Sequence, residues 1–117
     1  MAEIIPQRGE IYLVNFGRIT TAEIGKVRPA LIIQNNIGNK YSPTTIVAAI
    51  HEADETKELP VCVLVKKGID GLTKDSLIDT GHLLTVDKRR LGKKCGEIPL
   101  EIQQEVDKAL KVSLSLS

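Results

Sequence analysis

The chain has 117 residues, and its 16 Lys and Arg against 15 Asp and Glu leave a formal charge of +1. That length fits one domain with a genuine core and is too short for two. The near-neutral balance means that any nucleic-acid binding must use a local patch, and two Tyr, one Phe and no Trp argue against a platform of stacked bases.

The first regular run follows Pro6: Arg8-Gly9-Glu10-Ile11-Tyr12-Leu13-Val14-Asn15-Phe16 reads as a strand. Residues 17–26 show no period and end beside Gly25, which predicts a mobile loop of the kind that covers a site. Lys26-Val27-Arg28-Pro29 then leads into the apolar run Ala30 to Gln34. A polar loop from Asn35 to Pro43 follows, and then the run Thr44 to His51. Both runs read as strands, and so short a connection makes the pair antiparallel. Arg28, which opens one strand, and His51, which closes the other, therefore meet at the open end of a hairpin. A permanently charged guanidinium beside an imidazole suits phosphate chemistry.

A charged turn at 52–58 leads to a strand from Leu59 to Lys66, broken by Gly68 and Gly71. Ser76 to Asp79 and His82 to Val86 read as two strands around a bend at Gly81, the corner that a compact barrel needs. Residues 87–94 gather Lys88, Arg89, Arg90, Lys93 and Lys94, predicted as a helical turn ended by Gly92. Pro99 opens a helix with Ile102, Val106, Ala109, Leu110 and Ser113 along one stripe, which covers a sheet or meets a partner. Many short strands with one terminal helix predict a mainly β fold, a small bent barrel in a single domain spanning 1–117.

Several chemistries find no support. Cys62 and Cys95 form neither a CxxC pair nor a disulfide framework, and the two histidines stand far apart in the chain, so neither a metal nor another cofactor is expected. There is no Gly-rich phosphate loop. The longest apolar run, Ile46 to Ile50, cannot span a bilayer, so no membrane association and a cytoplasmic location are expected.

Taken together, Arg8-Gly9-Glu10-Ile11-Tyr12, Gly25-Lys26-Val27-Arg28-Pro29, Ile33-Gln34-Asn35 and the stretch from Gly38 to Ile50 resemble the MazF/PemK toxins. So do Lys74-Asp75-Ser76, Asp87-Lys88-Arg89-Arg90-Leu91 and Glu105 to Leu110, in the same order along nearly the whole chain. The resemblance implies an SH3-like barrel with a C-terminal helix, assembled as a homodimer. It also implies metal-independent cleavage of single-stranded RNA, silenced by a cognate antitoxin whose acidic, disordered tail fills the RNA groove. The family's essential arginine is matched by Arg28. Departures fall at other positions: His51 stands where a near branch has a catalytic Thr, Ala22 precedes Glu23 in place of a Ser, Gly81-His82 replaces Glu-Gln, and Leu84 replaces an Arg.

Cutting RNA without a metal requires a base for the 2′-hydroxyl, a cation for the charge gathering on phosphorus and an acid for the leaving 5′-oxygen. Arg28 is the candidate phosphate clamp; its alternative is a strand-end arginine paired with Glu23. His51 and His82 are the candidate base and acid, with the neighbouring guanidinium favouring a neutral His51. Alternatively His51 is a solvated turn residue and His82 a packing residue, and the substitutions have disabled cleavage. Thr45 and Ser76 either place hydroxyls near the phosphate or satisfy strand-end amides. Lys88, with its basic neighbours, either adds salt-dependent affinity or lies in a solvated turn. Glu23 and Lys26, in the loop beside the hairpin's open end, are candidates for contacting RNA. Two readings remain: a metal-independent endoribonuclease toxin leaving a 2′,3′-cyclic phosphate and a 5′-hydroxyl, or a silent or gyrase-poison-like binding module of the same barrel. Ser113 to Ser117 offers no Trp or charged anchor for a gyrase poison.

Overall fold

The computed structural model describes residues 4–17, 27–53, 60–68 and 72–116. In chain order these form β1 (Glu10–Asn15), β2 (Val27–Ile32), α1 (Asn36–Tyr41), β3 (Thr44–Glu52), β4 (Cys62–Val65), β5 (Ser76–Asp87), a 3₁₀ turn (Lys88–Arg90), β6 (Leu91–Glu97) and α2 (Leu100–Ser113). The strands make one six-stranded antiparallel sheet in the order β4-β5-β3-β2-β1-β6. The mainly β class with a C-terminal helix is thus as expected, although the ladder ends at β4 and β6 instead of closing into a ring.

Each face of the sheet carries a buried apolar cluster. On one, Ile11, Leu31, Ala48, Ile50, Val63, Val65 and Ile78 pack beneath Val106 and Ala109 of α2. The predicted helical stripe is therefore the lid of the core, with Ile102 and Leu110 packed along its margin. Ser113, the last residue of that stripe, donates its hydroxyl to the Thr80 carbonyl at 2.8 Å and ties the helix end to β5. On the other face, Tyr12, Val14, Ala30, Ile32, Val47, Val86 and Leu91 form a second cluster, joined by Ile4, Phe16 and Leu84. No helix contributes to this cluster, yet Val14, Ala30, Ile32 and Val47 are fully buried. A sheet that curls over itself buries such a face, in keeping with the barrel-like character read from the short strands.

Local chemistry accounts for several differences from the sequence expectations. The loop from Asn35 to Pro43 contains helix α1, because the Asn35 side chain accepts the Gly38 amide as an N-cap at 2.8 Å. The strand expected from Leu59 is shorter, beginning at Cys62 after a turn at Pro60 and Val61. The two strands expected around Gly81 are one strand, β5, with an irregularity inside it: Ala48 pairs with Leu83 but Ala49 pairs with Asp79, leaving the intervening residues without a β3 partner. Thr80 is held there from the other side, its amide and hydroxyl both donating to the Val61 carbonyl at 2.9 and 2.7 Å. Only Lys88 to Arg90 of the basic stretch are helical; Gly92, Lys93 and Lys94 belong to β6. The loop expected at 17–26 lies outside the described residues from 18 onward, and so do 54–59 of the charged turn.

Candidate active site

The hairpin register follows the sequence reading. Ala30 pairs with Ala49, Leu31 with Ala48 and Ile32 with Val47, where the β2–β3 ladder ends; the same register extended two residues beyond the ladder would set Arg28 across from His51. Strand alternation then places Arg28, Ala30 and Ile32 on the same face as Val47, Ala49 and His51. That face is the one away from α2, where Ala30, Ile32 and Val47 belong to the second core cluster. Arg28 is exposed, and its side chain makes no hydrogen bond or ion pair to another described residue. Its alternative partner Glu23, and the candidate RNA contact Lys26, lie outside them.

The third element of the site arrives from β5. Asp79 pairs across from Ala49 and so shares the His51 face. His51 Nε2 and Asp79 Oδ2 lie 3.3 Å apart. The other carboxylate oxygen, Oδ1, accepts the Gly81 amide at 2.8 Å, so the group is oriented by its own backbone two residues on. A Cβ at Gly81 would stand 3.1 Å from that Oδ1, tight enough to displace it. Because the residues after Asp79 leave the β3 ladder, His82 returns to the same patch. Its ring centroid is 6.0 Å from that of His51, with the planes tilted by 31°. One ligand atom from each of His51, Asp79 and His82 lies within 4.8 Å of the others. His51 is therefore neither a turn residue nor remote from His82. The histidines, too far apart along the chain for the sequence to suggest a metal site, are brought together by the β3–β5 pairing.

Asp79 was not singled out in the sequence. The available signal was an aspartate inside an otherwise β-forming run, Leu77-Ile78-Asp79-Thr80, where Asp is ordinarily depleted.

The remaining candidates are elsewhere. Thr45 is fully buried and donates its hydroxyl to Asn39 Oδ1 at 2.7 Å. Ser76 is buried and donates to the Lys74 carbonyl at 2.9 Å. Lys88 is only 4 % exposed, and its ammonium donates to the Asn39 carbonyl at 2.8 Å. These three side chains fasten the α1 segment and the strand ends through internal hydrogen bonds, the structural role that the sequence offered as the alternative for Thr45 and Ser76.

Arg89, Arg90 and Lys94 of the basic stretch are also engaged. Arg89 forks onto Asp87 at 3.0 Å, and its side-chain and backbone hydrogen bonds hold the Asp87 carboxyl down to about 2. Arg90 donates to the Asn15 carbonyl at 3.1 Å, and Lys94 pairs with Glu10 at 2.8 Å. A shallow depression of about 300 Å³ lies off the end of β3, lined by Glu52, Ala53, Lys67, Thr73, Lys74 and Asp75. Its charged groups bind one another: Lys74 donates to Glu52 at 3.0 Å, and Asp75 accepts the Lys67 amide at 2.8 Å. The chemistry of the described surface is concentrated at the two imidazoles and their carboxylate.

Comparison with known proteins agrees with the order of the motifs. The family model described as PemK-like, MazF-like toxin of type II toxin-antitoxin system matches residues 7–114. The chain is 40% identical over 113 residues to Endoribonuclease EndoA of Bacillus subtilis (strain 168), covering 97% of both proteins. Its fold is similar to that of an endoribonuclease in complex with its cognate antitoxin from a mycobacterial species, with a TM-score of 0.80 at 23% identity, covering 96% of this chain and 97% of that one. MazF from Deinococcus radiodurans superposes with a TM-score of 0.75 at 22% identity, covering 97% of this chain and 99% of the other. Among the described residues, no helix is long and apolar enough to cross a membrane. With a match over nearly its whole length and the antiparallel sheet and C-terminal helix of those structures, this chain belongs to the PemK-like, MazF-like toxins of type II toxin–antitoxin systems.

Proposed function

We propose that this chain is a single-domain, homodimeric endoribonuclease toxin acting in the cytoplasm. It cuts single-stranded RNA without a metal and is held silent by a cognate antitoxin with an acidic, disordered tail. The observation that carries the catalytic reading is the convergence of the chain's only two histidines, rings 6.0 Å apart, on the face to which the β2–β3 register assigns Arg28. The 40% identity to an endoribonuclease supports the substrate class.

In this mechanism His51 is the base. Asp79 Oδ2 takes the Nε2 proton in a hydrogen bond, which leaves Nδ1 as the acceptor and stabilises the imidazolium once it forms, as a carboxylate does for a catalytic histidine generally. The 2′-oxygen attacks phosphorus, the bond from phosphorus to the 5′-oxygen breaks, and His82 delivers a proton to that oxygen. The products are a 2′,3′-cyclic phosphate and a 5′-hydroxyl. Arg28 grips the non-bridging oxygens through its planar fork. One ligand atom of each ring lies within 4.8 Å of the other, less than two hydrogen bonds of about 2.8 Å laid end to end, so a phosphodiester enters as the exposed rings turn apart.

The test is incubation of the full chain with single-stranded RNA in excess chelator, beside Arg28→Ala and His51→Ala. Cleavage by the wild-type chain that falls about a hundredfold or more in each variant is expected, the range for loss of one electrostatic or acid–base group. RNA left intact at every pH would instead identify a silent binding module of the same fold.

A further inference from the structure

We infer that His51, Asp79 and His82 form a three-ligand site for a divalent transition cation of the zinc class. Two imidazoles and one carboxylate from paired strands make a set with the composition of open three-ligand sites, where solvent completes the coordination. Ligand atoms around a tetrahedral zinc lie about 3.3 Å apart, given bonds of roughly 2.0 to 2.1 Å. The His51 Nε2 to Asp79 Oδ2 separation already has that value, 3.3 Å. The third ligand atom lies within 4.8 Å of the other two, and His82 is on the surface, free to close the remainder by a ring rotation.

The carboxylate is pre-oriented. Its Oδ1 is committed to the Gly81 amide at 2.8 Å, which presents Oδ2 to the imidazoles, the arrangement by which outer hydrogen bonds fix a ligand. The His51 side chain is 48% exposed and that of Asp79 24%, so an ion enters directly from solvent. The mixture of two nitrogens with one oxygen selects zinc, copper, nickel or cobalt over magnesium and calcium, which favour all-oxygen shells.

One consequence rests on the function proposed above. An ion held by both imidazoles withdraws the base and the acid together, so the cation is an inhibitor of cleavage and a chelator restores it.

The experiment is a calorimetric titration of the full-length chain, stripped with chelator, using ZnCl2, with MgCl2 as control and CoCl2 as a spectroscopic probe. A single zinc per chain is expected. Affinity falls more than about a hundredfold in His51→Ala and in His82→Ala, beyond what loss of an outer-shell partner causes, and by about tenfold or more in Asp79→Asn. No uptake of zinc, equal uptake of magnesium, or binding that survives His51→Ala/His82→Ala overturns the site. A cobalt spectrum with thiolate charge transfer overturns it too, since Cys62 or Cys95 would then be a ligand. Parallel cleavage assays separate this inference from the catalytic reading. Zinc that binds through both histidines while cleavage continues supports the cation site and refutes their acid–base roles. Cleavage that needs both histidines while zinc fails to bind refutes the site and leaves the chemistry standing.

Discussion

The buried polar knot behind α1 makes a quantitative prediction. Asn39 and Thr45 are both fully buried. Asn39 Oδ1 accepts from Thr45 Oγ1 at 2.7 Å and from Gln34 Nε2 at 3.1 Å, and its Nδ2 donates to the Gln34 carbonyl at 3.0 Å. In Asn39→Ala the Thr45 hydroxyl loses its acceptor where water cannot reach it, which costs about 1–3 kcal/mol. Gln34 is only half-buried and still donates to the Thr44 carbonyl at 3.0 Å, so its loss adds about 1 kcal/mol. Alanine's better helix propensity returns about half a kcal/mol. The backbone carbonyl that receives the Lys88 ammonium is unchanged. The net expectation is about 2–3 kcal/mol of destabilisation.

Thr45→Val alone leaves Asn39 Oδ1 its Gln34 donor and should cost about 1 kcal/mol. The double variant no longer contains the orphaned hydroxyl, so the two effects should fall short of additivity by about 1–2 kcal/mol. Urea unfolding of the four proteins at one fixed chain concentration measures this cycle. Additivity within about 0.3 kcal/mol refutes the shared bond. Cleavage is the second readout: Thr45→Val should keep its kcat/KM, and a hundredfold loss would return that hydroxyl to the chemistry.

Cleavage in chelator should give a bell-shaped dependence of kcat/KM on pH, since one imidazole acts neutral and the other charged. A rate flat across the range where imidazoles ordinarily titrate, or one surviving His51→Ala/His82→Ala, refutes the pair. Gly81→Ala should lower cleavage several-fold at nearly wild-type stability, by crowding Asp79 Oδ1; unchanged rates would show that the orientation of the carboxylate is irrelevant. For Glu10, burial pushes the carboxyl up, but bonds from Lys94, the Gln7 amide and Tyr12 outweigh it and hold it below the ordinary value. A depressed folded value stabilises the protein above the ordinary carboxylate range, and that contribution disappears as pH falls through the folded value. Glu10→Gln should therefore lose about 1–2 kcal/mol at neutral pH, with less to lose in acid; equal losses at both pH values contradict this.

Strand existence and the hairpin were legible because β-branched runs bounded by Gly, Pro and Asn leave few alternatives, and a short connection dictates antiparallel pairing. From that alone Arg28 and His51 could be set at one end of one face. The α1 helix was hidden because its six residues, Asn36–Tyr41, are poor helix formers held by a side-chain cap and by Asn39's tertiary bonds, which propensity does not register. Asp79 was hidden for a different reason: its role depends on where β5 departs from register, and that is set by Val61 and Ser113 gripping Thr80, long-range contacts without a local signature. Lys88 shows the converse failure, for a run of basic residues gives no indication which one turns inward to a carbonyl.

The departure of β5 from its ladder has an evolutionary corollary. Between Asp79 and Leu83 the strand owes nothing to β3; Thr80 is buried and fixed by Val61 and Ser113, but Gly81 and His82 are exposed and can be exchanged without repacking the interior. Leu83, paired with Ala48 and packed against the core beneath α2, fixes the residue before it on the opposite face, so an exchange at 82 alters the patch without moving the strand. A lineage could thus lose or regain its reactive pair by exchanging one side chain, keeping intact the scaffold that an antitoxin must still recognise.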